Sequence, residues 1–113
     1  MKKYEIVKKN DEFHDIINTG KCLKNHFYNI YYKDGQEKFP RFGIAVSKKF
    51  GTAVERNKVK RQLRNLVDHH KNLFANHRNY IIMIKKGVKN CSYSEMEEQF
   101  VLLLQKGFLN EKN

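Results

Sequence analysis

The chain has 113 residues, of which 40% are hydrophobic and 31% charged, so we expect a single domain over residues 1–113 with a modest core. A formal net charge of +11 at pH 7 favours a nucleic-acid partner, and we expect neither a membrane nor a small-molecule substrate. No apolar run approaches the ~20 residues that span a bilayer, and the first residues lack a secretory signal, so we expect a cytoplasmic protein.

The first predicted element is a helix from Asn10 to Asn18. Asn10 is a favourable N-cap residue, and the acids that follow it lie where the helix dipole stabilises negative charge. Phe13, Ile16 and Ile17 form one apolar stripe, so we expect this helix to pack through that side.

A strand rich in aromatic residues is predicted next, at Phe27–Tyr32. Alternation places Asn29 and Tyr31, together with Phe27, on a face that an amide and a phenol make partly wet. A tyrosine on such a face is positioned to stack an unpaired base, with Phe13 beside it. Packing into the core is the alternative for both rings.

A second strand is predicted at Arg41–Ser47. Its core side chains are expected to be Phe42, Ile44 and Val46. Gly43 and Ala45 leave the opposite face shallow, which is typical of a place where another chain or a ligand approaches closely.

The central helix is predicted to begin at Thr52, because Thr52 and Glu55 have the spacing of a capping box. One side of this helix carries an apolar stripe formed by Val59, Leu63, Leu66 and Val67. The unbroken apolar run Tyr80–Ile84 then predicts a strand that is covered on both faces and has a parallel partner. A last helix is predicted to pack through Met96, Phe100, Leu103 and Leu104.

The strongest functional signal is a basic segment that enters the central helix. It contains seven cations and one acid, Glu55; the cations are Lys48, Lys49, Arg56, Lys58, Lys60, Arg61 and Arg64. Few ion pairs within the helix can offset this repulsion, so the segment is interpreted as an anion-binding surface. Asn57 and the arginines can donate to phosphate oxygens, and Lys48 and Lys49 precede a helix N-terminus, where anions bind.

Catalytic and metal-binding patterns are not evident in the sequence. The histidines His69, His70 and His77 lack further ligands at a usable spacing, so we expect no metal site. The acids are scattered except for Glu95, Glu97 and Glu98, whose position at a helix start is explained by the helix dipole. We therefore expect no catalytic residue on this chain.

A longer pattern surrounds the basic segment: Arg41-x-Gly43-Ile44-x-Val46-Ser47-Lys48-Lys49-x-Gly51-x-Ala53-Val54-x-Arg56-Asn57-x-x-Lys60-Arg61-x-x-Arg64. It resembles the signature of the bacterial ribonuclease P protein family, and weaker matches extend the resemblance over most of the chain. The resemblance implies an α/β (α+β) sandwich in the order helix-β-β-β-helix-β-helix. It further implies a four-stranded sheet and a left-handed β-α-β crossover.

The resemblance also implies a function. The family's enzyme is a ribonucleoprotein that removes the 5′ leader from precursor tRNA, and its RNA subunit performs the Mg²⁺-dependent hydrolysis. The protein is then an accessory subunit whose partners are the catalytic RNA and the leader. Leader binding is implied in a cleft between the sheet and the central helix, at Phe13, Tyr31 and Asn29. RNA contacts are implied at Arg56, Asn57, Lys60, Arg61, Arg64, Lys48 and Lys49.

Three other hypotheses stay open at this point. A structural, ribosome-associated RNA-binding protein has the same basic surface without a role in cleavage. A protein-only nuclease is the second hypothesis, and it requires clustered acids. A DNA-architectural protein is the third, and it predicts similar affinity for duplex DNA and single-stranded RNA.

Overall fold

A computed structural model describes residues 1–108 of the chain. Its helices and strands are α1 (Asn10–Thr19), β1 (Lys21–Lys24), β2 (Tyr28–Asp34), β3 (Arg41–Val46), α2 (Ala53–His69), β4 (Arg78–Ile84) and α3 (Tyr93–Phe108). This order confirms the predicted helix-β-β-β-helix-β-helix arrangement. No helix within the described residues is long and apolar enough to cross a membrane.

Three local predictions need correction. Lys9 and not Asn10 is the N-cap of α1; Asn10 is the first helical residue. Strand β1 was not located from the sequence, because a short run with exposed lysines carries no periodic apolar signal. Phe27 precedes β2 and packs against the main core, so it does not share the wet face of that strand.

The four strands form one mixed sheet in the order β1-β2-β4-β3. Strand β4 lies inside the sheet, antiparallel to β2 and parallel to β3. The parallel partner predicted for Tyr80–Ile84 is therefore confirmed. Helix α2 connects the two parallel neighbours β3 and β4, and the left-handed sense of this crossover stays a prediction.

One face of the sheet is sealed by α2 and α3. The register places three residues from each of the long strands on this face: Tyr28, Ile30, Tyr32, Phe42, Ile44, Val46, Tyr80, Ile82 and Ile84. All four predicted core residues of α2 and all four of α3 are buried against them. The Tyr28 hydroxyl donates to the carbonyl oxygen of Met96 at 2.9 Å, which satisfies a polar group in this core. Burial raises the pKa of Tyr28 well above its ordinary value, so the hydroxyl stays protonated.

The other face of the sheet is covered only in part, by α1. Ile16 of α1, Ile81 of β4 and Val7 form a small second core there. Phe13 lies directly over Gly43, where an added Cβ would come within 2.5 Å of the ring. The close approach predicted at Gly43 is thus made by the chain's own phenylalanine. Met83, two residues beyond Ile81, remains partly exposed, so β4 is not covered on both faces along its whole length.

Candidate nucleic-acid interface

The start of α2 is held by short-range hydrogen bonds. The Thr52 side chain accepts from the Glu55 backbone N–H at 3.2 Å, and the Glu55 carboxylate accepts from the Thr52 N–H at 3.0 Å, as the capping box predicts. This backbone donor holds the pKa of Glu55 below its ordinary value of 4.5. Gly51 leaves room for that carboxylate, since a Cβ there would come within 2.6 Å of it. Glu55, the only acid of the basic segment, therefore uses its carboxylate to cap the helix.

Helix α2 has two chemically different sides. Val59, Leu63, Leu66 and Val67 are buried, and they fix the helix against the sheet. The seven cations of the basic segment, from Lys48 to Arg64, are called the basic surface from here on. Five are exposed, whereas Arg56 and Lys60 are partly exposed; Asn57 is exposed too.

The basic surface is not neutralised by the chain's own acids. Within residues 1–108, no carboxylate lies within 4.0 Å of any of its seven cations. The acids of this part of the chain form ion pairs with other amines and guanidinium groups: Met1 amino group–Asp68, Glu5–Lys71, Glu12–Arg41, Asp15–Lys33, Asp34–Arg78, Asp68–Lys71 and Glu55–Lys89. The repulsion expected from the sequence therefore persists in the folded protein, and a polyanion would relieve it.

The part of this sheet face that α1 leaves uncovered, next to Phe13 and Tyr31, is called the cleft from here on. Tyr31 and Phe13 both pack against the small second core and stay partly exposed, so they form one wall. The floor continues along the next row of paired residues, Lys24, Asn29, Met83 and Ala45. Phe13, Tyr31 and Asn29, for which the resemblance implies one cleft, thus lie on the same face of the sheet.

The position of this cleft differs from the expected one. The space between the sheet and the central helix is filled by the main core, including Leu63 and Phe42. Phe13 and Tyr31 belong to the opposite face, which α1 covers. The cleft is therefore formed by the sheet and α1, because the apolar stripe of α2 closes the other side.

Basic residues from distant parts of the chain also gather at one end of the sheet. Strands β1, β3 and β4 all end there, as the register shows. Lys24 is the last residue of β1, Lys85 directly follows β4, and Lys48 comes two residues after β3. Gly87 packs closely against His26 at the same end, and the Lys85 ammonium donates to the Asn25 carbonyl oxygen at 2.7 Å. Lys24 and His26 were missed in the sequence, because only strand pairing brings them to this edge.

Two of the five histidines, His70 and His77, lie beside acids. His70 lies 3.0 Å from a Glu97 oxygen, and His77 lies 3.5 Å from Asp34. Within the same residues, no three His, Cys, Asp or Glu side chains are grouped as metal ligands would be. Three features of the described residues suit an RNA ligand: the basic surface, the cleft and the basic sheet end.

Comparison with known proteins gives one consistent result. A family model described as Ribonuclease P matches residues 1–107. The chain is 39% identical to the ribonuclease P protein component of Mycoplasma mycoides, over 93% of this chain and 97% of that protein. It is 32% identical to the component of Streptococcus pneumoniae, over 93% of this chain and 85% of that protein. Its fold is similar to the solved Staphylococcus aureus RNase P protein, with a TM-score of 0.84, 28% identity and coverage of 91% and 94%.

Proposed function

The chain belongs to the ribonuclease P protein family, and on that premise we propose how its surfaces take part in removing the 5′ leader from precursor tRNA. A protein component of ribonuclease P belongs to an endoribonuclease complex and has the ribonuclease P RNA as its partner. The basic surface is proposed to bind that RNA. The observation that carries this assignment is its set of seven cations, none of which has a carboxylate within 4.0 Å in residues 1–108.

The cleft is proposed to bind the single-stranded leader of the precursor. Tyr31 offers an aromatic face on which a base can stack, a contact worth about 1–3 kcal/mol that depends little on sequence. Phe13 lies beside it, packed over Gly43. Lys24 and the cations at the sheet end lie next to the cleft floor, where they can neutralise leader phosphates. The two RNAs repel each other, and the protein supplies positive charge to both.

The chemical step is proposed to take place on the RNA subunit, with Mg²⁺ at the RNA's active site supplying the metal-dependent hydrolysis. Four of the chain's twelve acids support that assignment by their existing roles. Glu12, Asp15 and Glu5 are in ion pairs, and Glu55 is in a helix cap. We therefore propose positioning and electrostatic roles for this chain, and no catalytic residue.

Reconstitution tests the proposal directly. The full chain is added to ribonuclease P RNA at low Mg²⁺ with a precursor tRNA that carries either a long leader or a one-nucleotide leader. We expect kcat/KM to rise about tenfold more for the long leader, because only that leader reaches the cleft. Lys106→Ala, which removes an exposed cation of α3, is the matched control and is expected to stimulate like the wild type.

Two results would contradict the proposal. Tight RNA binding without any stimulation of cleavage would indicate a structural RNA-binding protein. Cleavage of the precursor by the protein alone would place the reacting groups on this chain.

A further inference from the structure

A small pocket lies beside the basic surface, between α2 and the segment that joins β4 to α3. It encloses about 230 Å³. Its floor is apolar and consists of side chains at the margin of the main core: Phe50, Val59, Val88 and Met96. Its rim is polar and includes residues from both walls: Glu55, Lys58, Gln62, Lys89 and Asn90. An apolar floor with a few polar groups around it is the usual form of a binding pocket.

The wall opposite α2 is held by its own hydrogen bonds, so the pocket is preformed. The Cys91 backbone N–H donates to the Val88 carbonyl oxygen at 3.0 Å, and its thiol donates to the Gly87 carbonyl oxygen at 3.2 Å. Within this turn Asn90 has a φ of 68°, a left-handed conformation that asparagine adopts more readily than most residues. A preformed pocket loses little conformational freedom on binding, which favours affinity.

The charges around the rim indicate a ligand that is anionic and also covers the basic surface. Lys58 belongs to both the basic surface and the rim, Lys89 stands on the other wall, and both are exposed. Among the described lining residues Glu55 is the only acid; its carboxylate accepts from the Thr52 N–H and lies 4.0 Å from the Lys89 ammonium. Two cations against one acid leave the rim positive, so an RNA bound to the basic surface can extend over the mouth of the pocket.

The size of the pocket and its two rim amides suit one nucleobase. Pockets for drug-sized ligands begin at roughly 300 Å³, so this smaller one suits a single flat ring system. Gln62 and Asn90 stand on the two walls, and neither side-chain amide has a hydrogen-bond partner within residues 1–108. Each amide offers donors and an acceptor, which can match the edge of a base. Unpaired bases in loops and bulges are the parts of an RNA that proteins read in this way.

We propose that this pocket binds one unpaired nucleobase of the ribonuclease P RNA, turned out of its stack. The ring rests on the apolar floor, and the amides of Gln62 and Asn90 bond its edge. Lys58 and Lys89 bind the neighbouring phosphates. The inference rests on the proposed binding of that RNA to the basic surface. It adds a base contact to a surface whose other contacts are to phosphates, so binding depends on the RNA sequence at one position.

Gln62→Phe tests the pocket without changing any charge. The new ring fills the mouth and one amide is lost, so the affinity of the full chain for ribonuclease P RNA should fall about tenfold. Because no cation is removed, log K should fall equally at every salt concentration and the slope should not change. The matched control is Gln105→Phe, which places the same ring on the exposed face of α3 and is expected to bind like the wild type.

Chemical probing of the RNA locates the base. Dimethyl sulfate and a carbodiimide together modify the pairing edges of all unpaired bases. One unpaired base should be protected in the wild-type and Gln105→Phe complexes and become reactive in the Gln62→Phe complex. An abasic nucleotide at that position should weaken wild-type binding about tenfold. It should hardly weaken Gln62→Phe further, since both changes remove the same contact.

A second variant, Asn90→Gly, keeps the test decisive if Gln62→Phe lowers the Tm by many degrees. Glycine adopts the left-handed φ of this position, so only the exposed amide is lost. Asn90→Gly should weaken binding of the natural RNA about threefold, the effect of one hydrogen bond, and leave binding of the abasic RNA unchanged.

The remaining outcomes separate the pocket from the proposed function. Unchanged affinity in both variants, or a loss that is just as large on the abasic RNA, overturns the role of the pocket while the chain still binds the RNA and stimulates cleavage. A flatter salt slope in Gln62→Phe also overturns it, because phosphate contacts are then the ones lost. Absence of RNA binding by the wild type contradicts the proposed function itself.

Discussion

The two helices α1 and α2 differ in how their charges are compensated. On α1, Glu12 and Asp15 each pair with a cation of the sheet, Arg41 at 2.7 Å and Lys33 at 2.8 Å. On the basic surface, which comprises five cations of α2 together with Lys48 and Lys49 just before it, no cation has a carboxylate within 4.0 Å in the part of the chain that the structure describes. The acids of α1 thus form ion pairs with the sheet, whereas the cations of the basic surface remain unpaired.

This difference separates two roles of surface charge. Paired residues on α1 contribute to holding the wall of the cleft, and they add little to the field outside the protein. Unpaired cations on α2 raise the self-repulsion of the folded chain and attract a polyanion. The comparison predicts that variants on α2 change RNA affinity with little change in stability, and that variants on α1 do the reverse.

The largest expected effect is on the α2 side. Arg61→Ala combined with Arg64→Ala should weaken binding to ribonuclease P RNA by about 30-fold, since each exposed arginine can make a charge-assisted bond to phosphate. The Tm should stay within a degree or two of the wild type, because neither side chain is buried. Filter binding and thermal unfolding measure the two quantities. A large fall in Tm would show that these arginines have a structural role.

The α1 side is tested by Arg41→Met, which keeps most of the apolar stem and removes the guanidinium that bonds Glu12 at 2.7 Å. The variant should lower the free energy of unfolding by about 1–2 kcal/mol in urea titrations. Its RNA affinity should stay within twofold of the wild type. An affinity loss as large as that of the double arginine variant would remove the distinction between the two helices.

The same ion pair predicts a dependence of stability on pH. The Arg41 guanidinium that bonds Glu12 holds the pKa of that carboxyl below its ordinary value of 4.5. A depressed pKa gives stability that is present above 4.5 and is lost as the pH falls through the folded-state value. Glu12→Gln should therefore be less stable than the wild type at pH 7, by about 0.5–1 kcal/mol, and the gap should close in acid. A gap that stays constant on acidification would contradict this assignment.

The smallest effect is expected at Glu55, the only acid within the basic segment. Glu55→Gln keeps an oxygen that can accept from the Thr52 N–H, so the capping box survives, while one negative charge beside the basic surface is removed. RNA affinity should rise about twofold at low salt and return to the wild-type value at high salt. A loss of affinity would mean that Glu55 helps to bind RNA.

Much of α2 could be predicted from the sequence because its signals are local. The capping box, the apolar stripe and the excess of cations all occur within one run of residues, and each was confirmed. The predicted location of the cleft, between the sheet and α2, was wrong because it depends on contacts between distant parts of the chain. The side of the sheet that α2 covers depends on the pairing of distant strands, and so does the contact of Phe13 with Gly43.

The remaining gaps have the same physical origin. Strand β1 has only four residues, most of them exposed, and it is defined by its pairing with β2. Within residues 1–108, the buried Oδ1 atoms of Asn29 and Asn79 lack a hydrogen-bond partner, and only the fold decides which groups lie near them. The motif resemblance was enough to identify the family. The geometry of the cleft could not be predicted without the three-dimensional fold.

Salt dependence of RNA binding tests the central claim most directly. The observed association constant of the full chain for ribonuclease P RNA is measured over a range of salt concentrations. If all seven cations of the basic surface contact phosphates, the slope of log K against log salt should be about −5 to −6. Removing Lys58, Arg61 and Arg64 together should flatten it by about 2–3, whereas Lys106→Ala should leave it nearly unchanged. A shallow slope in the wild type, or one that the triple variant does not change, would contradict the account.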